Sequence, residues 1–332
     1  MTRSQRILFK GEPAVRLENG RIRAVVLPNR GAKIASLVSL SRRGRALLET
    51  ESLAQCLRDR YERPARYGMT FGGEDGTGFD DLCPCIAPCT LGPYPWDGMQ
   101  LPDHGEVWAL PWETTVHAGE VICAVHGIRL PYSLCKTIRL LDNTLRVRYR
   151  AENHAPFAMP FQWAAHAILD VAPGSRLIVP PGQDRIVNAY AGNRLPEVGR
   201  EYAFPRPGPS SDFDLRVIPE PNSNGAQKYW FAAPVTEGVC GLSNPVTGLT
   251  TTIRFDRHAL PFLGIWVNEG GWNRYYNVGI EPSTCILDDP VASSMRGVEA
   301  VLGPRASAQW QISIELQEST ASTRPARESS RR

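Results

Sequence analysis

Three segments of this 332-residue chain set titratable side chains among aromatic ones. The first is Leu101-Pro102-Asp103-His104-Gly105-Glu106-Val107-Trp108, followed by Pro111-Trp112-Glu113. The second is Phe157-Ala158-Met159-Pro160-Phe161-Gln162-Trp163-Ala164-Ala165-His166. The third runs from Gly264-Ile265-Trp266-Val267-Asn268-Glu269-Gly270-Gly271-Trp272 to Tyr276-Asn277-Val278-Gly279-Ile280-Glu281-Pro282-Ser283-Thr284. Imidazoles and carboxylates are the usual carriers of general acid–base catalysis. Aromatic faces beside them suit a pyranose, which has an apolar face for stacking and a rim of hydroxyls for hydrogen bonds. Each polar residue also has a structural reading. Glu281, after Val278-Gly279-Ile280 and before Pro282, is either a capped structural carboxylate or a base held rigidly at a sheet end. His166, after Phe161, Trp163 and two alanines, also reads as a satisfied core histidine. His104, between Asp103 and Gly105, also reads as a hydrogen-bonding post in a turn.

Other chemistries lack their patterns. Gly72-Gly73-Glu74-Asp75-Gly76-Thr77-Gly78 is followed by Phe79 and not by the Lys-Ser/Thr of a phosphate-binding loop, so it reads as a flexible or ligand-facing loop. No G-x-S-x-G elbow and no H-E-x-x-H helix occurs. Of eight cysteines, Cys56, Cys123, Cys135, Cys240 and Cys285 are scattered, and Cys83-Pro84-Cys85-Ile86-Ala87-Pro88-Cys89 forms a cluster. The cluster lacks the paired spacing of zinc sites, so buried, inert thiols are expected and no metal or other cofactor.

The elements that must position these residues read as strands and turns. Ala14 to Leu17 and Ile22 to Leu27 flank Glu18-Asn19-Gly20-Arg21, and Asn-Gly between apolar runs is a hairpin signal. Further strands are expected over Thr114 to Val116, Val121 to Val125, Tyr132 to Leu141, Leu145 to Ala151, Thr250 to Phe255, Phe262 to Val267, Tyr276 to Ile280 and Ala308 to Leu316. Leu145, Val147 and Tyr149 alternate with Arg146, Arg148 and Arg150, the mark of a strand with one wet face. Leu47 to Tyr61 is the one helical candidate of useful length, and Cys285 to Pro290 is too short and ends in proline. Pro181 to Pro209 and Pro219 to Gly225 read as loops. The 28 prolines and 29 glycines are spread throughout, with no internal repeat and no linker, so one large, antiparallel, all-β two-sheet sandwich over residues 1–317 is expected.

Composition sets the outer limits. With 37 basic and 34 acidic residues the net charge of +3 is too balanced to imply nucleic acid or an anionic membrane as partner. No apolar run reaches the ~18 residues of a membrane span. The basic N-terminus lacks an apolar signal core, so a cytoplasmic protein, monomer or homodimer, is the expectation. The Ser-, Thr- and Arg-rich stretch from Gln317 to Arg332 reads as a disordered tail.

Together and in this order, the three segments resemble the aldose 1-epimerase (galactose mutarotase-like) family over roughly Asn19 to Leu316. Pro102-Asp103-His104-Gly105-Glu106-Val107-Trp108 is similar to the family's HG histidine motif, and Asn153 with Trp163 to His166 to its strand-borne asparagine and second histidine. Ile280-Glu281-Pro282-Ser283 is similar to the EP motif that carries the catalytic glutamate. There are departures. Ala167 and Ile168 follow the second histidine in place of proline and an aromatic, and acidic Asp80 and Asp81 stand where an arginine is usual. The family's second aspartate has only Asp256 as a match by order. The resemblance implies a β-supersandwich and metal-free mutarotation of a monosaccharide or modified sugar. Glu281 would be the base, His166 a protonated acid and His104 a sugar-binding partner. Asp80, Asp81, Trp163, Lys228 and Trp266 are the further substrate-binding candidates, Lys228 as the contact for an anionic group. A non-catalytic carbohydrate-binding protein on the same fold and a lyase or isomerase on a modified sugar are the alternatives.

Overall fold

In the computed structural model, the residues described are 2–40, 46–47, 67–68, 70–71, 76–92, 94–209, 211–221 and 225–318. Among them, nearly all regular structure is antiparallel strand. Two large sheets face each other. The smaller has eight strands, in the order Arg176–Ile178, Val239–Asn244, Leu249–Phe255, Ser307–Glu318, Thr144–Asn153, Tyr132–Leu141, Glu120–His126, Glu113–His117. The larger has eleven, in the order Arg3–Phe9, Glu12–Glu18, Ile22–Leu27, Lys33–Ser39, Phe79–Leu82, Ala164–Asp170, Tyr276–Ser283, Phe262–Glu269, Ala226–Phe231, Arg185–Asn188, Glu201–Ala203. The chain is thus a large antiparallel β-supersandwich, as expected. No helix among the described residues is long and apolar enough to cross a membrane.

Sequence pattern and burial agree best in the smaller sheet. Leu145, Val147, Tyr149 and Ala151 are buried while Arg146, Arg148 and Arg150 are exposed, so one face packs and the other is wet. The middle of the larger sheet differs. Ala164–Asp170, Tyr276–Ser283, Phe262–Glu269 and Ala226–Phe231 are buried on both faces almost throughout. Their inner face packs on the smaller sheet, and the main apolar core joins residues of both. Their outer face carries a second, smaller cluster that includes Leu82, Ile86, Ala164, Trp230 and Ile286. Loops cover that outer face. Gly105, at φ 73°, is held so close to the Cys83 backbone that a Cβ would stand 2.2 Å from the Cys83 carbonyl oxygen. Glycine is therefore required for the Asp103-His104 turn to lie against the sheet end.

Two expectations need correction, and one short helix was not expected. The stretch Pro181 to Pro209 contains the strands Arg185–Asn188 and Glu201–Ala203, which close one end of the larger sheet. Gln317 and Glu318 belong to the last strand, paired with Thr250 and Leu249, because that strand runs the full length of its neighbour. No helix spans Cys285 to Pro290, in keeping with its shortness, but Pro290 begins a short one. Asp289 accepts a hydrogen bond from Ala292 N and caps the short helix Pro290–Ser294, with proline in the first turn, where its missing N–H costs nothing. Leu47 forms an isolated bridge with Leu169, and residues 48–61 of the expected helix, most of the glycine-rich loop, Cys56 and the tail beyond residue 318 lie outside the described residues. Of the cysteine cluster, Cys83 and Cys85 are buried and Cys89 is half-buried.

Candidate active site

Side chains alternate between sheet faces, so register decides which residues share a surface. Ala164 pairs with Ser283 and Ala167 with Ile280, a register that sets His166 opposite Glu281. Glu281 pairs with Gly264 on its other side, Trp266 with Gly279, and Lys228 with Trp266. His166, Glu281, Gly279, Trp266 and Lys228 therefore share the outer face of four adjacent central strands. Glycine at 279 keeps that face open. A Cβ there would stand 3.1 Å from both Trp266 Cβ and Ile168 Cδ1, and 3.6 Å from Glu281 Oε1.

Over this floor lies a cavity of about 270 Å³, just under the roughly 300–1,000 Å³ of drug-sized sites and so on the scale of one sugar ring. Its walls include Phe71, His104, Tyr190, Trp266, Trp272 and Asp288. Trp266 stands perpendicular to both Tyr190 (5.4 Å, 88°) and Trp272 (6.2 Å, 89°), forming an aromatic corner. Asn268 holds Trp272 in place, its amide nitrogen donating to Trp272 O and its carbonyl oxygen accepting from Trp272 N.

The charged groups are tightly arranged. Lys228 Nζ lies 2.8 Å from Glu281 Oε2 and 3.0 Å from Asp288 Oδ1. Asp288 Oδ1 also accepts from Trp230 Nε1 at 3.0 Å. The other Glu281 oxygen, Oε1, is fully buried, has no hydrogen-bond partner among the described residues, and stands 3.9 Å from His166 Nε2. Burial raises the Glu281 pKa, against the lowering pull of Lys228. Burial lowers Lys228, but Asp288 and Glu281 outweigh it and the net shift is upward. Burial drives His166 well below the ordinary histidine value, and the charges of His104, Lys228 and Lys33 add to the effect. These causes work against the protonated His166 that the resemblance implies. His104 Nδ1 lies 2.8 Å from Asp103 Oδ1, and its ring stacks on Phe71 at 4.0 Å and 8°. Burial works to raise Asp103, but the His104 ring and the N–H groups of Phe71 and His104 together hold it below the usual carboxylate value.

No family model matches the chain, and no curated protein matches it in sequence. Solved structures do. A Synechocystis sp. PCC 6803 protein superposes with a TM-score of 0.68 at 15% identity, over 95% of this chain and 99% of the other. A galactose mutarotase-like protein from Lactobacillus casei gives 0.64 at 17% identity, over 92% and 100%. A galactose mutarotase related enzyme from Lactobacillus acidophilus gives 0.64 at 16%, over 92% and 98%. The fold is the galactose mutarotase-like fold.

Within this galactose mutarotase-like framework, the structure brings together five of the eight residues singled out from the sequence: His104, His166, Lys228, Trp266 and Glu281 line one cavity. It separates the other three from it. Trp163 is fully buried between the sheets, 4.7 Å from Tyr149 and 5.1 Å from Trp310, because the residue three before His166 falls on the opposite face. Asp81 likewise points inward, to Lys136 Nζ at 2.5 Å. Asp80 pairs in register with His166 on the outer face, but its carboxylate turns to Lys33 Nζ at 3.0 Å and does not line the cavity. Asn153 ties loops together, donating to the carbonyls of Phe157, Leu302 and Gly303. Asp256 caps an exposed turn through His258 N. The role floated for Lys228 toward an anionic group also needs correction, because its ammonium is already shared by Glu281 and Asp288.

Asp288, Tyr190 and Phe71 were not singled out. Asp288 had a signal. Asp289-Pro290 is a helix-capping pair, and the residue before such a cap is fixed in direction by it. Here the Asp288 carbonyl accepts from Ile86 N and Ala87 N, which pins the cysteine-cluster loop over the cavity. Among the described residues, no three His, Cys, Asp or Glu side chains form a metal-holding group.

Proposed function

We propose that this cavity binds the pyranose form of an aldose and interconverts its anomers by acid–base ring opening and closure. One observation carries the reading: Glu281 Oε1, buried, without a hydrogen-bond partner among the described residues, at the floor of an aromatic-walled cavity beside two imidazoles. A buried carboxylate oxygen left unpaired costs about 1–3 kcal/mol or more. A sugar hydroxyl placed against it supplies the missing proton. The reaction follows. Glu281 takes the proton of the anomeric hydroxyl as a histidine delivers one to the ring oxygen, and the C1–ring oxygen bond breaks to an open-chain aldehyde. Rotation about C1–C2 presents the other carbonyl face, and the same groups reverse both proton transfers as the ring closes. Burial favours the neutral acid of Glu281, which makes the ionised form a better base than a solvated carboxylate. Trp266 and Trp272 offer faces to the ring. Asp103, Glu281 and Asp288 outnumber the Lys228 ammonium among the lining residues, which favours neutral sugars over uronates and sugar phosphates.

Exchange NMR on a panel of aldoses, each with and without the protein, tests this. Catalysed α–β exchange with at least one neutral aldose is expected. Exchange at the spontaneous rate for every sugar, including those that bind, makes the cavity a binding site without turnover.

A further inference from the structure

Glu281 does not meet the cavity alone. Lys228 Nζ stands between two carboxylates, 2.8 Å from Glu281 Oε2 and 3.0 Å from Asp288 Oδ1. We infer that Lys228 and Asp288 form a standing ion pair that positions Glu281 as the base: the lysine engages Oε2 so that Oε1 alone meets the sugar, and the aspartate keeps the lysine paired while Glu281 carries a proton. This rests on the ring-opening reading above and adds two positioning residues to it.

Both members of the pair are fixed from several sides. Lys228 lies on a central strand, and its carbonyl accepts from Ala189 N at 2.8 Å. Its ammonium stands 5.7 Å from the centroid of the Trp230 ring, and its side chain is about 10% exposed. Asp288 Oδ1 also accepts from Trp230 Nε1 at 3.0 Å. The Asp288 carbonyl accepts from Ile86 N and Ala87 N of the covering loop, and the next residue, Asp289, caps the helix Pro290–Ser294. The aspartate is thus held by the loop, the helix cap and an indole, independently of the lysine.

The arrangement answers a problem of charge. A base gains and loses a proton in every cycle. A buried lysine whose single partner was that base would be left bare each time, and an unpartnered buried charge is strongly unfavourable. With Asp288 in place the ammonium keeps a carboxylate throughout. Counting these three groups, the charge is −1 before the proton arrives and zero after it. The proton of the anomeric hydroxyl goes to Glu281 Oε1 and leaves it on ring closure, while Lys228 keeps its three protons. Two other titratable groups face Glu281: His166, with Nε2 at 3.9 Å from the adjacent strand, and His104 from the covering turn. Burial raises the Glu281 pKa, Lys228 pulls it down, Asp288 pushes it up and His104 pulls it down. The lysine and the aspartate therefore act on the base in opposite directions.

Two measurements on the full chain test the inference. The first is the low-pH limb of kcat/KM for anomer exchange, which reports the base of the free enzyme. In Lys228→Met the limb is expected to move to higher pH, by about one unit or more. In Asp288→Asn, a milder change at a partly exposed side chain, it is expected to move to lower pH. A merely structural role would lower the rate and leave the limb in place. The second is carboxyl-carbon NMR across pH, with the Glu281 signal assigned by its loss in Glu281→Gln. The Glu281 midpoint is expected to move in the same two opposite directions, and this needs neither turnover nor sugar. Asp288→Asn alone keeps the test decisive should Lys228→Met not fold. Limbs and midpoints that stay in place in either variant, or that move the same way in both, overturn the inference and leave the ring-opening reading standing. Spontaneous exchange rates with every aldose overturn the ring-opening reading, and the roles of the pair with it.

Discussion

Two buried lysine–carboxylate pairs lie on opposite faces of the larger sheet. On the inner face Asp81 meets Lys136 at 2.5 Å, each about 1% exposed, with the lysine reaching across from the smaller sheet. The Lys136 ammonium also sits 4.8 Å from the Trp112 ring, and packed side chains fill the surroundings. On the outer face Glu281 meets Lys228 at 2.8 Å, but both line open volume, a second carboxylate shares the lysine, and one Glu281 oxygen has no hydrogen-bond partner among the described residues. The charge types are the same and the burial is similar. What separates them is empty space: Asp81 Oδ1 also lacks a hydrogen-bond partner among the described residues, but packed side chains surround it, whereas Glu281 Oε1 faces a cavity. A closed ion pair joins two sheets, whereas an open one can exchange a proton with whatever enters.

Breaking each pair should therefore produce different losses. Glu281→Gln keeps the shape and removes the base, and the anomer-exchange rate should fall by about 10²–10⁴-fold. A fall of less than about tenfold in exchange NMR would place Glu281 beside Asp81 as a structural group. Asp81→Asn should act on stability, because it leaves the Lys136 charge buried without its partner, at about 3–5 kcal/mol. Urea unfolding would read this. Replacing both members with apolar residues, Asp81→Leu with Lys136→Met, should recover most of the loss. A rate effect of Asp81→Asn on fully folded protein would contradict the division between the faces.

That division also explains what the sequence made legible. Alternation over Leu145 to Ala151 showed a strand with one wet face, because that strand has one. Ala164–Asp170 and Ala226–Phe231 are buried on both faces, so period 2 vanishes there, and the strands that carry His166 and Lys228 left no alternation to read. His104, His166 and Glu281 were found as polar residues in apolar runs, and that signal does not depend on which face they occupy. Trp163, Asp80 and Asp81 were misplaced for the complementary reason. Type and order suggested a sugar site, but only register shows that Asp81 and Trp163 point inward and that Asp80 meets Lys33. Asp288 and Tyr190 reach the cavity from connections whose course depends on the packed sheet beneath them.

The Glu281 strand offers a smaller test of the same contrast. Gly279→Ala puts a methyl on the cavity floor against Trp266, Ile168 and Glu281 Oε1. One methyl in a fitted pocket is worth about 1–3 kcal/mol, so kcat/KM should fall about tenfold or more while the melting temperature changes little. One residue on, Ile280→Val trims the inner face, where Ile280 is fully buried. It should cost about 0.5–1.5 kcal/mol in urea unfolding and leave kcat/KM unchanged. Exchange of these two phenotypes would mean that the register across this strand is shifted by one residue.

The smallest effect is a pH dependence of stability from His166. Its folded-state pKa lies well below the ordinary 6.5, with burial the main cause. Between those two values the unfolded chain binds a proton that the folded chain refuses, so stability rises with pH across the window and is lost as pH falls below about 6.5. The slope is at most about 1.4 kcal/mol per pH unit. Glu281, raised by burial, works in the opposite direction once pH falls toward its folded-state value. The wild-type curve therefore mixes the two, and the difference between wild type and His166→Gln isolates the histidine. Urea midpoints at closely spaced pH values from about 5 to 7.5 should show the wild type losing stability relative to the variant below about 6.5, with no difference in slope above it. Parallel curves across the whole range would mean that His166 is protonated equally in both states, and the outer-face histidine would then be as solvated as a surface one.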